Sequence, residues 1–208
     1  MTGSDPAQAA AAFERVIASG GVAVFPADTV YGLACDPDAP AAVQRLYGLK
    51  GRAPDKPAAV MFFALEAALA ALPELGPRTR AALARLLPGG VTLLLPNPAR
   101  RFPLACGPDP GTLGLRVPAL PALAAVSRPV LQSSANAAGG ADARRLDDVP
   151  APLRAGADLV LDGGELPGTP STVVDLRRYE AAGRWALVRT GAVEAAAIGT
   201  VLSPPPAP

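Results

Sequence analysis

At 208 residues, half of them hydrophobic and with a formal charge of +1, the chain has the composition of one globular domain, not of a disordered segment or a strongly basic nucleic-acid binder. It contains no histidine, which rules out a Ser-His-Asp or Cys-His pair and a His-ligated zinc site, and two cysteines are too few for a Cys-rich metal site. Catalysis would have to run on carboxylates, hydroxyls, Lys, Arg, backbone dipoles or a metal brought in with the substrate, a set that favours phosphoryl or adenylyl transfer.

Helical and strand signals alternate along the chain. Asp5 caps a helix through Ala18 with Pro6 at its first position, and Gly20-Gly21 ends it. Val22 to Phe25 reads as a short buried strand, Asp38 opens a helix to about Gly48, and Ala58 to Phe63 is the next strand. A helix over Thr79 to Leu87 stops at Pro88-Gly89-Gly90, and Val91 to Leu95, Leu113 to Val117 and Val130 to Ser133 follow as strands. Leu159 to Asp162, Thr172 to Leu176 and Trp185 to Arg189 are the last strands, with helices expected over Ala119 to Ser127 and Leu146 to Ala155. This alternation implies an α/β domain with helices packed on a twisted, mixed sheet, spanning 1–203 with a Pro-rich tail at 204–208. No apolar run approaches the ~20 residues of a membrane span, and no secretory pattern opens the chain, so a cytoplasmic location is expected.

The P-loop and Gly-x-Gly-x-x-Gly motifs are absent: Lys50 precedes Gly51 and Lys56 precedes Pro57, where a P-loop needs Ser or Thr. Yet the only two lysines among 19 basic residues fall together in KGRAPDK, beside Arg52. Either a compact ammonium is required there, or the segment is a solvated surface loop with chance clustering.

Upstream stands Phe25-Pro26-Ala27-Asp28-Thr29-Val30-Tyr31-Gly32-Leu33, and downstream Ser134-Ala135-Asn136. PADTVYGL, then KGR, then SAN resembles the YrdC-like threonylcarbamoyl-AMP synthase family, whose hallmark is Lys-x-Arg paired with a later Ser-x-Asn. PGGVTLLL (Pro88 to Leu95), TLGLRVP (Thr112 to Pro118), DGG (Asp162 to Gly164), STVVDL (Ser171 to Leu176) and VRTGAV (Val188 to Val193) extend the match in the family's order over roughly residues 10 to 195. The resemblance implies helices around a concave, positively charged surface. It implies a nucleotidyltransferase reaction of L-threonine, bicarbonate and ATP, with Mg2+ accompanying ATP, to give threonylcarbamoyl-AMP and pyrophosphate. A separate threonylcarbamoyl-transferase complex then uses the product to modify the adenosine beside the anticodon of certain tRNAs.

Carried over residue by residue, the resemblance gives Lys50 and Arg52 the phosphates and the catalytic role, with Thr112, Ser134, Asn136 and Arg189 also on the nucleotide. Arg116 would clamp the amino-acid carboxylate with Ser171 nearby, and Thr29 and Gln132 would complete the substrate side. Arg116 and Arg189 can also be read as salt bridges at a sheet edge, Ser171-Thr172 as ordinary strand composition, and Asp28 as a cap on its own turn.

Departures cluster on the amino-acid side. Ala27 stands where family members that make the threonyl product usually have threonine, Met61 where they have histidine, and Gln132-Ser133 where many have Ala-Pro; Asp142 replaces a serine that contacts ATP. The first two make the pocket wall more apolar, which predicts weak selectivity for threonine unless Gln132 or Thr29 supplies the missing contact. Two other readings stand beside the enzyme: a paralogue activating another carbamoylated small molecule, and a non-catalytic RNA-binding module, either of which leaves direct tRNA contact open.

Overall fold

The Asp5 carboxylate accepts a hydrogen bond from Ala7 N at 3.1 Å and Pro6 takes the first helical position, so α1 (Pro6–Ala18) starts where its cap signal lies. The computed structural model describes residues 5–203; the tail expected at 204–208 lies outside the described residues, as do residues 1–4. The other helices are α2 (Pro40–Lys50), α3 (Leu65–Ala71), α4 (Pro77–Leu86), α5 (Pro103–Cys106), α6 (Ala151–Gly156), α7 (Tyr179–Ala182) and α8 (Ala195–Leu202).

The strands are β1 (Ala23–Pro26), β2 (Tyr31–Cys35), β3 (Ala59–Met61), β4 (Val91–Pro96), β5 (Thr112–Arg116), β6 (Val130–Ser134), β7 (Leu159–Val160), β8 (Thr172–Asp175) and β9 (Ala186–Arg189). They form one sheet in the order β7-β1-β2-β6-β3-β5-β4-β8-β9. The pairs β1/β7, β3/β5 and β4/β8 are parallel and the rest antiparallel, so the sheet is mixed, as expected.

Three local expectations fail for identifiable reasons. Over Ala119 to Ser127 there is only a 3-10 turn, Pro121–Leu123, because Pro121 lacks an N–H and holds Leu120 out of the helical region at φ −131°, ψ 79°. Pro150 divides the segment from Leu146 to Ala155 into a 3-10 turn, Leu146–Asp148, and α6. The second helix begins at Pro40, not Asp38, whose N–H instead binds the Asp36 carboxylate at 2.8 Å in a turn.

Side chains alternate across the strands, and the two faces of the sheet are covered unequally. Val24, Leu33, Val60, Leu93, Leu115, Leu131 and Val174 point into a large core beneath α2 to α8. Ala23, Phe25, Ala34, Met61 and Val130 point to the opposite face, where Ala10, Phe13 and Ile17 of α1 cover them with Leu123 and Val126. Phe13 sits 5.2 Å from Phe25 and 5.6 Å from Phe63 between ring centroids, tilted and edge-on. Such pairs add roughly 0.5–1.5 kcal/mol beyond burial, so α1 is clamped over one half of its face. Among the described residues no helix covers the other half.

Candidate functional site

On that uncovered half the sheet forms the floor of a cavity of about 410 Å³. The pairing register explains the hollow. Leu94 lies opposite Gly114, Gly114 opposite Ala59, and Ala59 opposite Gln132, so two very small residues sit between two larger ones. Arg52, Thr112 and Ser134 line the cavity, as do Arg116, Gln132, Ser171 and Arg189 from the substrate-side and late-strand motifs. Lys50, Asn136 and Thr29, also expected at the site, stand behind this wall at 5%, 7% and 4% exposure.

Lys50 is the last residue of α2, and Gly51 ends the helix in a left-handed conformation at φ 62°. A side chain there would be strained, which is why this step in KGR suits glycine. The turn separates the two cations. Lys50 Nζ donates to Ser134 O at 2.5 Å, to Asn136 O at 2.9 Å and, closer still, to Asn136 Oδ1, with Ser134 Oγ at 3.3 Å. Ser134 Oγ donates to Asn136 Oδ1 at 2.8 Å, and Asn136 Nδ2 donates to Gly140 O at 2.6 Å. The Lys-x-Arg and Ser-x-Asn segments are thus one structural unit, with a buried ammonium at its centre. Burial, then the Arg52 charge, lowers the Lys50 pKa to about 8, with Asp142 opposing.

Arg52 turns outward to the cavity. Its Nη2 donates to Pro57 O at 2.5 Å, its guanidinium lies 5.6 Å from the Tyr47 ring centroid, and its buried Nε has no partner among the described residues. This holds a cation in place with donor capacity to spare.

Arg116 lies on β5, between β3 and β4, so the reading of a sheet-edge salt bridge fails for it. It is buried, and its Nη2 donates to Ala27 O at 2.9 Å, to Thr29 Oγ1 at 2.6 Å and to the Asp28 carboxylate. Burial depresses its pKa while Asp28 opposes the shift. The Arg116 Nε is buried without a partner, and Nη1 makes no hydrogen bond to the described residues, so the guanidinium keeps donor capacity on the side away from Asp28. Asp28 adopts φ 60°, unusual for a residue other than glycine, and its other oxygen accepts from Ala119 N at 2.8 Å. It therefore holds the segment that follows β5 and is not a cap on its own turn. Nothing in the residue pattern announces that pairing across 88 positions.

Arg189, on the edge strand β9, donates from Nη2 to Ser171 O at 2.7 Å, and Ser171 Oγ shares a 2.7 Å hydrogen bond with Thr92 Oγ1. Thr92 is a cavity residue that sequence reasoning passed over, although it lies within PGGVTLLL. Thr112 Oγ1 donates to Asp109 at 2.6 Å and accepts from Arg177 at 3.3 Å. The DGG motif is structural: Tyr31, fully buried, binds Asp162 Oδ1 and accepts from Gly163 N, both at 2.9 Å.

Two departures fall elsewhere than expected. Ala27 and Met61 are fully buried in the cluster under α1 and do not line the cavity, so they cannot make its wall more apolar. Among the described residues no group of three or more His, Cys, Asp or Glu could hold a metal, so a metal here would be one carried by a ligand's phosphates, with Asp142 as the nearest cavity carboxylate to Lys50 and Asn136. No helix among the described residues is long and apolar enough to cross a membrane.

The model of the Sua5–YciO–YrdC family, described as "Telomere recombination", matches residues 15–191. A curated threonylcarbamoyl-AMP synthase of Chromohalobacter salexigens is 37% identical over 180 residues, which is 84% of this chain and 94% of that protein. Pyrococcus abyssi Sua5, solved in complex with L-threonine, is 28% identical with a TM-score of 0.79, covering 92% of this chain and 56% of its own. Escherichia coli YciO, 24% identical with a TM-score of 0.75, shares the fold over 90% of this chain and 91% of its own.

Proposed function

The chain belongs to the Sua5–YciO–YrdC family, and from that premise we propose that it makes threonylcarbamoyl-AMP from L-threonine, bicarbonate and ATP, releasing pyrophosphate, for the threonylcarbamoyladenosine modification of tRNA. The amine of threonine joins the bicarbonate carbon with loss of water, and an oxygen of the resulting carbamate attacks the α-phosphorus of ATP. The bond from that phosphorus to the bridging oxygen breaks, and pyrophosphate leaves. None of these steps needs a histidine.

In this reading the residues bind, orient and neutralise charge. Arg52 takes phosphate oxygens from the cavity side, while Lys50 supplies a buried positive charge and fixes the Ser134–Asn136 turn that meets the nucleotide. Thr112 and Arg189 flank it, and Arg116 turns its unengaged guanidinium donors to the amino-acid carboxylate with Ser171 nearby. Magnesium would enter with ATP, carried by its phosphates, with the Asp142 carboxylate available in the cavity. The observation that carries the reading is the joining of the Lys50–Arg52 and Ser134–Asn136 segments at the rim of a cavity that three arginines line. The test is pyrophosphate release with threonine, bicarbonate and Mg-ATP together, and its loss when any one is omitted. Release that ignores bicarbonate and threonine would overturn it.

A further inference from the structure

Most polar side chains around the cavity are committed to protein partners. The Thr29 hydroxyl accepts from Arg116 and faces Ala27 O at 3.4 Å, the Ser171 hydroxyl is shared with Thr92, and the Ser134 hydroxyl is held by Asn136. The Gln132 carboxamide differs. It is 7% exposed, lines the cavity, and makes no hydrogen bond to the described residues. Its polar atoms face the cavity and are not among the buried atoms left without partners, so a ligand group in the cavity can pair with them.

Its position is held by a glycine. A Cβ on Gly32 would fall 2.9 Å from Gln132 Nε2, 3.1 Å from the Phe25 ring and 3.4 Å from Ala27 Cβ, so the carboxamide packs directly over Gly32. Gln132 and Arg116 rise from the same face, two strands and two residues apart, about 12 Å between Cα atoms by standard sheet spacing. Over the small Ala59 and Gly114 that gap suits two long side chains closing on one small ligand.

We propose that Gln132 determines side-chain specificity, its carboxamide reading the hydroxyl of a β-hydroxy amino acid whose carboxylate is held by Arg116. A carboxamide offers a donor and an acceptor together, the complement of a hydroxyl, whereas an apolar side chain would leave both unpaired. The proposal rests on the activation of an amino acid by this same cavity and replaces the expectation that the site ignores the hydroxyl.

The experiment compares kcat/KM for threonine, serine, valine, 2-aminobutyrate and asparagine in the wild type, Gln132→Leu and Gln132→Ala, each checked for an unchanged ATP affinity. The expected wild-type preference is at least about a hundredfold for threonine over valine. It falls at least about tenfold in both variants through loss of the threonine reaction, while valine and 2-aminobutyrate change little. An unchanged threonine-to-valine ratio in both variants would overturn the assignment, as would asparagine surpassing threonine and serine in the wild type. Pyrophosphate release with no amino acid at all would overturn the underlying activation reading instead, a result distinguishable from failure of the Gln132 assignment alone.

Discussion

Lys50 and Asn136 are 86 residues apart, and the ammonium of one is hydrogen-bonded to both the backbone carbonyl and the side-chain carbonyl of the other. Removing that ammonium strands buried acceptors at Ser134 and Asn136 as well as deleting a charge. Lys50→Ala is expected to weaken ATP binding about tenfold to a hundredfold and to destabilise the fold by roughly 1–3 kcal/mol. Arg52→Ala, at a more accessible group, is expected to weaken ATP binding similarly with a smaller effect on stability. Calorimetric titration with ATP and thermal melts separate the two. Equal stability losses would contradict the division of labour between the cations.

The Lys50 pKa of about 8, against an ordinary 10.5, gives two pH dependences of opposite sign. The unfolded chain binds more protons than the folded one between these values, so this group's contribution to stability increases as pH rises from about 8 toward 10.5. Nucleotide affinity runs the other way: phosphates favour the protonated lysine, so ATP binding weakens as pH rises through about 8 and is accompanied by proton uptake above it. Isothermal titration in buffers of different ionisation enthalpy measures that uptake. Lys50→Met should abolish it; an undiminished uptake would assign the proton to another group.

Arg116 and Asp28 form a buried pair, so removing either partner leaves an uncompensated charge. Asp28→Asn is expected to destabilise the protein by about 3–5 kcal/mol. Arg116→Lys keeps the charge but loses the planar fork, and should raise the KM for the amino acid with little change in ATP affinity. Loss of both ligands together would show that the mutation had damaged the sheet.

Gly32→Ala tests how the Gln132 side chain is seated. The added Cβ must displace the flexible carboxamide, which can move where the backbone cannot. The amino-acid KM should rise while ATP binding and the melting temperature stay near wild type. A collapse in stability would show that Phe25 and Ala27, not Gln132, set the limit.

The sequence pattern finds the strands that are short apolar runs between turn signals, including β1, all four of whose residues are buried. It missed β2, whose YGLAC segment is buried on both faces and lacks β-branched residues, so it reads as part of the preceding loop. It overextends the helix after Pro118 because the apolar spacing fits one, whereas Pro121 holds Leu120 outside the helical region. At the site, Lys-x-Arg and Ser-x-Asn were legible as motifs, but not that Lys50 spends its donors on the second motif. That requires knowing that α2 ends against the end of β6. The family resemblance puts Ala27 and Met61 on the amino-acid side of the pocket; in the structure both are buried under α1.

The central claim is that the carbamoyl carbon comes from bicarbonate and is joined to both threonine and AMP. Mass spectrometry of the product formed from 13C-bicarbonate, threonine and Mg-ATP tests it most directly. The prediction is one species with the mass of threonylcarbamoyl-AMP that carries a single 13C and breaks down to AMP and a labelled threonine derivative. An unlabelled threonyl-adenylate, or AMP and pyrophosphate with no adduct, would contradict it.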